Sequence, residues 1–234
     1  LVGQSDTRYD AVIEQAAAAV KSRVVYAQHE FACEGQEATA GGQRFRLRRS
    51  RDGRSFDLDL DLAGTYQRHN VVTAAAAADL LHEETPLTIS RRAFVEGVRH
   101  AAAHTGLRGR WQRLGEAPLV VCDSGHNPQG VACVAEQLKA TPCERLFCVV
   151  GFARDKDLAH ILPSLPREAY YIFTQAQGAR ALPADELAAK GAIYGLGGEA
   201  VADVAAALAR ARELASPADM IFVGGSTYVV AEVL

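Results

Sequence analysis

The sequence predicts an α/β protein with a mostly parallel sheet covered by helices. From residue 118 onward, short apolar runs alternate with helix-like segments, and uninterrupted apolar strands are typical of a parallel sheet that is buried on both faces. The chain has 234 residues, of which 49% are hydrophobic. That content is sufficient for one large domain or two small ones.

The front of the chain has a different pattern, with two helices expected to follow the N-caps Asp10 and Ser90. The Asp-Gly in RDGR favours a hairpin turn between two alternating strands. In order, we predict a helix at 10–21, a strand at 23–28, strands at 44–50 and 55–62, and helices at 70–82 and 90–104.

Three carboxylates share one face of the strand at 55–62, since Asp57, Asp59 and Asp61 alternate with apolar residues. Three acids on one face can ligate a metal. The alternative is a solvated strand face that meets the arginines of the neighbouring strand, and it is the reading we favour.

The pattern changes near residues 106–110, where two glycines bracket Leu107 and Arg108, so we place a domain boundary there, between 1–107 and 108–234. Beyond it, strand-like and helix-like pieces alternate at 118–123, 130–140, 145–151, 158–165, 169–175, 183–191, 201–215, 220–226 and 227–234.

Ligands of parallel sheets bind beyond the carboxyl ends of the strands, so the segments that follow the strands are candidate sites. These exits are 123–127, 151–157 and 224–227. Asp123 could hold a ribose hydroxyl or cap the helix that begins near Pro128. His126 could donate or accept a proton near neutral pH, or simply be exposed.

Two further exit residues carry alternatives of their own. Lys156 could meet a phosphate or a carboxylate, or the loop could be a surface ion-pair cluster of Arg154, Asp155 and Asp157. Ser226 with Thr227 could form an anion site at a helix start, or be a glycine-rich turn with a serine cap.

Several classes of function are disfavoured by what the sequence contains. The chain has 25 basic and 28 acidic residues and a formal net charge of −3, so a nucleic-acid partner is not expected. No apolar run approaches the roughly 20 residues of a membrane span. The five cysteines lack CxxC spacing, which favours a reducing, cytoplasmic setting.

Nucleotide motifs of the common kinds are also missing. No lysine follows a glycine, so there is no Walker A loop, and no GxGxxG follows a strand. Because no GxGxxG follows a strand, a dehydrogenase-like domain is the last of the alternatives.

Five segments nevertheless occur together in an order that indicates a known family. They are GTYQRHNVVTAAAAADLL (64–81), GRWQ (109–112), DSGHNP (123–128), GFARDKD (151–157) and IFVGGSTYVVAEVL (221–234). In this order the chain resembles the folylpolyglutamate synthase and dihydrofolate synthase family of the Mur ligase superfamily. The resemblance implies that 1–107 is the rear part of a central ATP-binding domain and that 108–234 is a Rossmann-like C-terminal domain.

The resemblance implies an ATP-dependent ligase that adds L-glutamate to dihydropteroate or folate through an acyl phosphate. By motif position, Asn70 would contact adenine, Arg110 the ATP phosphates and Asp123 the ribose. His126 would lie near the phosphates, as a catalytic as well as a nucleotide-binding residue. Lys156, also catalytic, and Ser226 would face glutamate or the acyl phosphate.

The resemblance also leaves open questions. The family's P-loop and Mg²⁺ ligands are expected upstream of Leu1, so we expect this chain to be a part of a longer monomeric enzyme, with no metal site of its own and no turnover. The alternatives are a Mur-type ligase acting on a UDP-sugar peptide and a non-catalytic nucleotide-binding fragment.

Overall fold

A computed structural model describes all residues from 1 to 234, and they form two compact units, Leu1–Leu107 and Arg108–Leu234. No helix in either unit combines the length and the apolar character needed to cross a membrane.

The first unit is a three-stranded antiparallel sheet with helices packed on its apolar face. The strand order is β1-β2-β3, and the buried core joins sheet residues such as Phe45 and Leu58 to helix residues such as Val71 and Ala75. Its elements are α1 Asp10–Ala19, α2 Ala27–Glu30, β1 Phe31–Thr39, β2 Gly42–Arg49, β3 Ser55–Leu60, α3 Gln67–Glu84, α4 Arg91–Arg99 and α5 Ala101–Thr105.

The predicted hairpin is confirmed, with β2 and β3 pairing from Gln43 opposite Leu60 to Arg48 opposite Ser55. Gly53 adopts a φ of +69° at the turn, a conformation that glycine reaches without a steric penalty. The turn therefore forms for the reason that the Asp-Gly pair indicated.

The exposed face of this sheet carries ion pairs, as the solvated-face prediction expected. Arg44 bonds Asp59 at 2.7 Å, and Arg46 bonds Asp57 at 3.2 Å. The prediction is wrong for Asp61, whose two carboxylate oxygens accept hydrogen bonds from the N–H groups of Ala102 and Ala103 at the start of α5.

Other predictions for this unit need correction. Residues 23–28 are not a strand, since only Tyr26 forms a single bridge to Val2 and α2 follows at once. The strand β1, at Phe31–Thr39, was missed. Ser90 does cap α4 by accepting from Ala93 N at 3.1 Å, whereas Asp10 lies inside α1 and accepts from the preceding Asp6 N.

The second unit is the predicted α/β sheet. Its strand order is β4-β5-β9-β6-β7-β8, in which only β4 runs antiparallel to its neighbour. Short strands β4 and β8 were not predicted. The elements are β4 Gln112–Glu116, β5 Leu119–Asp123, α6 Pro128–Ala140, β6 Leu146–Val150, α7 Leu158–Ile161, a 3-10 turn Leu162–Ser164, β7 Tyr170–Phe173, α8 Ala184–Ile193, β8 Gly198–Ala200, α9 Val204–Leu214, β9 Met220–Gly224 and α10 Thr227–Ala231.

Both faces of this sheet are buried. Alternate strand residues, among them Cys122, Val149 and Val223, pack with α9 and α10 in one apolar cluster. The residues between them, such as Val121 and Cys148, point to the opposite face and are fully buried too. This two-sided burial explains why the strands read as uninterrupted apolar runs.

A buried carboxylate, ion-paired to the partly exposed Arg145, lies at the amino end of the sheet, beside the first residue of β9. Asp219 is 1% exposed, and its carboxylate accepts from the Arg145 guanidinium at 2.7 Å, from Arg145 N at 3.0 Å and from Ser216 N at 2.7 Å. The hydrogen bond from Arg145 lowers the pKa of Asp219 to about 2, against an ordinary value of 3.8.

Replacing Asp219 by Asn is expected to lower the free energy of unfolding by about 2 kcal/mol at neutral pH, because a charge-assisted network is lost. A lowered pKa contributes stability above the unfolded-state value, and that stability is lost as pH falls from about 4 toward 2. Urea denaturation from pH 7 to pH 2 should therefore show a smaller loss of unfolding free energy on acidification in D219N than in the wild type.

Asp203→Asn is the control, since Asp203 caps α9 and Asn is an equally good cap. Equal acid losses in D219N and the wild type would contradict this.

Candidate functional site

The carboxyl ends of the parallel strands lie in one row across the sheet of the second unit. Asp123 on β5 is level with Gly224 on β9, which is level with Val150 on β6, which is level with Phe173 on β7. The segments that follow these strands therefore leave the sheet at one edge. Among the residues predicted for the site, this edge carries Asp123, His126, Lys156 and Ser226.

The Asp123 carboxylate is buried and bonded at both oxygens. The residue is 2% exposed; Oδ2 accepts from Trp111 N and Oδ1 accepts from Gly125 N, both at 2.8 Å. The helix-cap alternative for Asp123 is wrong, because Asn127 caps α6 by accepting from Gly130 N at 2.7 Å.

The GRWQ and DSGH segments are joined into one structure, which we name the strand-exit corner (Gly109–Gln112 with Asp123–His126). Ser124 N donates to Gly109 O at 3.0 Å, and the Arg110 guanidinium donates to Ser124 Oγ. Trp111 has a left-handed φ of +47°, which is strained for a bulky residue, and the bond to Asp123 helps to hold it. Its ring stacks on Phe222 at 6.3 Å.

The corner also fixes the imidazole of His126, which is half-buried. Nδ1 lies 2.9 Å from Ser124 O. Because a carbonyl oxygen only accepts, this geometry assigns the proton of the neutral ring to Nδ1. The Nε2 lone pair is then left to accept a hydrogen bond from a ligand.

The loop after β6 leaves the Lys156 ammonium without an ion pair. Its charged neighbours bond outside the loop or to the following helix, so the alternative of a pair cluster among Arg154, Asp155 and Asp157 is wrong. The bonds are Arg154 to Glu186 at 3.9 Å, Asp155 to Arg180 at 2.8 Å and Asp157 to His160 at 2.6 Å.

A cavity of 230 Å³ opens at the same edge, between the loops after β6 and β7 and the start of α10. Ser226 is one of its walls and also the N-cap of α10, with Oγ accepting from Tyr228 N at 3.1 Å. The other lining residues are Gly151, Phe152, Ala153, Ala176, Gln177, Gly178, Ala179, Arg180, Ala181, Tyr228 and Val229.

Arg180 is the charged residue that lines this cavity, and it was not among the residues predicted for the site. Two backbone bonds tie its loop to the loop after β6: Arg154 N to Arg180 O and Leu182 N to Phe152 O, both at 2.9 Å. The hydrogen bond from Arg180 lowers the pKa of Asp155. Treating the exit of the strand at 169–175 as a candidate site would have found this arginine.

Asn70 belongs to the first unit, where it is exposed in the first turn of α3. Its Nδ2 donates to Gln67 Oε1 at 2.7 Å. No group of three His, Cys, Asp or Glu side chains in the chain is arranged to hold a metal ion.

Comparison with known proteins gives a consistent picture. Residues 109–227 match the family described as Mur ligase, glutamate ligase domain. A probable bifunctional folylpolyglutamate synthase/dihydropteroate synthase from Haloferax volcanii is 35% identical over 77% of this chain and 21% of its own length. The folylpolyglutamate synthase of Lacticaseibacillus casei is 28% identical over 74% of this chain and 40% of its own length.

Among solved structures, the Mycobacterium tuberculosis folylpolyglutamate synthase complexed with ADP has a TM-score of 0.80 and 25% identity. The match covers 95% of this chain and 51% of that one. The chain thus spans about half the length of that solved structure. It spans a smaller share of the length of the two curated relatives, 21% and 40%.

Replacing Asp123 by Ala is expected to destabilise the second unit by about 3 kcal/mol, because the buried N–H groups of Trp111 and Gly125 lose their acceptor. Urea denaturation measures the loss. Asn127→Ala removes the exposed N-cap of α6, which directly follows the strand-exit corner, and should cost about 1 kcal/mol. If D123A costs no more than N127A, the carboxylate does not hold the corner together.

Proposed function

The chain belongs to the folylpolyglutamate synthase and dihydrofolate synthase family of Mur ligases, and we propose that it forms part of an ATP-dependent ligase that adds L-glutamate to dihydropteroate or folate. The observation that carries the proposal is the common sheet edge, where the strand-exit corner, Lys156 and the Ser226 cavity all lie. The relatives named above favour the folate branch over a UDP-sugar-peptide ligase.

The proposed reaction has two steps. A carboxylate oxygen of the pterin substrate attacks the γ-phosphorus of ATP, which forms an acyl phosphate and releases ADP. The amino group of L-glutamate then attacks the acyl carbon, phosphate leaves, and the amine loses a proton to give the amide. Catalysis of such transfers depends on positioned cations and donors. No step of this proposal is assigned to Mg²⁺.

For the nucleotide, the strand-exit corner offers three groups. Arg110 supplies a guanidinium that can turn from Ser124 Oγ to a phosphate. His126 is the proposed residue near the phosphates, where its Nε2 can accept a hydrogen bond from a ligand hydroxyl or from a water bound to the phosphates. Asp123 is the proposed contact for a ribose hydroxyl, since a carboxylate at the exit of a parallel strand commonly binds one. In the first unit, Asn70 is the proposed adenine contact.

For glutamate, the cavity offers an anion-binding wall. Ser226 Oγ and the Arg180 guanidinium can each donate to a carboxylate, and Asp155 is the group that a ligand carboxylate would displace from Arg180. The unpaired Lys156 ammonium is the proposed contact for the acyl phosphate or glutamate, where it would stabilise negative charge during transfer.

The proposed partners are therefore small molecules: ATP, L-glutamate and a pterin or folate. We propose a monomer that does not bind nucleic acid. The five cysteines are all free and two are buried in strands, which supports the cytoplasm as its compartment.

The 234-residue chain is expected to bind ADP weakly and to show no glutamate ligation, since its sequence contains no Walker A loop.

His126→Ala should weaken ADP binding about fivefold, because one ligand hydrogen bond is lost. Calorimetry measures binding, with His160→Ala, an exposed histidine paired to Asp157, as the control. Equal affinity of H126A and the wild type would remove His126 from the site. If the chain extended by its preceding coding sequence still adds no glutamate, the activity is wrong.

In that extended chain, Arg180→Gln is expected to raise the KM for glutamate about tenfold with little change in kcat, because a carboxylate contact is lost in both ground and transition states. Initial rates at varied glutamate concentration measure this. Arg212→Gln, on the outer face of α9, is the control. An unchanged KM in R180Q would place the glutamate outside this cavity.

A further inference from the structure

The cavity at the sheet edge has a loop as one wall and a helix as another. The loop follows β7 and contributes residues 176–181, while the start of α10 forms the second wall. The far end of the loop is fixed to the loop after β6, because the backbones of Ala153 and Ala181 form a bridge. This bridge leaves residues 175–179 to be held by another group.

Glu232 is the residue that holds this stretch. Its Oε1 accepts a hydrogen bond from Gln177 N at 2.7 Å. Among residues 175–179, this is the one hydrogen bond that a backbone N–H donates. Glu232 directly follows the last residue of α10, so the bond ties the loop wall of the cavity to the helix wall.

The loop has little else to oppose its motion. Residues 177–180 are exposed, and Gly178 has a φ of +122°, a conformation that glycine adopts readily. A Cβ built at Gly178 would have no other atom within 4 Å, so the loop packs against nothing at this point. A backbone with few hydrogen bonds and few packing contacts opens at a low cost in free energy.

A ligand of the cavity binds more tightly when the loop is fixed in advance. Ordering a loop during binding costs free energy, and a pre-organised site avoids that cost. Where the binding-competent form is populated for only part of the time, the apparent dissociation constant rises by the inverse of that fraction. The Glu232 bond therefore bears on affinity although it lies outside the cavity.

We propose that Glu232 is a positioning residue for L-glutamate, because it ties the loop after β7 to α10 and keeps the cavity formed before the substrate arrives. The inference rests on the proposed function, in which this cavity binds glutamate. Glu232 does not line the cavity and acts only through the loop.

The charge of Glu232 separates positioning from a simple electrostatic effect. Glutamate is an anion, so a negative side chain nearby opposes its binding, and removal of that charge alone should tighten binding. Loss of the bond to Gln177 should weaken binding instead. The two effects therefore have opposite signs.

The kinetic test compares Glu232→Ala with Glu232→Gln in the extended chain. In E232A the KM for glutamate should rise about fivefold, the value for a loop that is in place one-fifth of the time. The kcat and the KM for ATP should change little, since glutamate is held less well in both the ground and the transition state. E232Q keeps an acceptor oxygen, so its KM for glutamate should be at or below that of the wild type.

Glu213→Ala is the matched control, since Glu213 is an exposed glutamate that bonds Arg210 at 3.2 Å. An unchanged or lowered KM for glutamate in E232A would overturn the inference alone. An equal rise in E232A and E232Q would also overturn it, because the acceptor oxygen would then have no role. If the extended wild-type chain adds no glutamate, the proposed function fails, and the ligand named here fails with it.

A second measurement tests the contact without activity. In the 234-residue chain, the backbone ¹⁵N order parameters of Gln177 and Ala179 should be near 0.85 in the wild type and in E232Q, as in a rigid backbone. In E232A they should fall below about 0.6, while that of Leu182, whose N–H bonds Phe152 O, should not change. Equal order parameters in the wild type and E232A would overturn the inference.

Discussion

The candidate site depends on one buried carboxylate more than on any other group. Asp123 ends β5 and bonds two backbone N–H groups from segments on either side of the strand, at Trp111 and Gly125. A buried carboxylate is costly unless it is hydrogen-bonded, and these bonds also satisfy amides that would otherwise be orphaned in the interior. Because of them, the GRWQ segment and the segment that carries His126 are parts of one structure.

The parallel sheet explains why the other groups lie nearby. Strands that pair in register end together, so their loops are forced to share one edge. There they bond to each other, as the backbones of residues 152–154 and 180–182 do. The polar groups at this edge have double roles: Ser226 caps a helix and lines the cavity, and Arg180 holds Asp155 while facing the same cavity.

The prediction errors have local physical causes. Strand β1 was missed because its sequence, FACEGQEAT, lacks a regular apolar alternation; it is held by pairing with β2, which is a tertiary effect that outweighs propensity. Residues 23–28 looked like a strand because they contain four apolar residues in a row at 24–27, but they find only a single bridge partner. Asp123 and Asn127 were both plausible caps, and only the hydrogen-bond geometry separates them.

The sequence by itself determined the α/β class, the hairpin and the exits from which Asp123, His126, Lys156 and Ser226 project, because apolar periodicity and turn chemistry are local properties. It also carried the family resemblance. Only the tertiary structure decided which groups are already bonded and which remain for a ligand. Asp123 accepts from the N–H groups of Trp111 and Gly125, and Ser124 O bonds His126 Nδ1. Arg180 lines the cavity, and Gln67 bonds Asn70. Such partnerships join residues distant in sequence or hidden by burial, and spacing along a chain does not encode them.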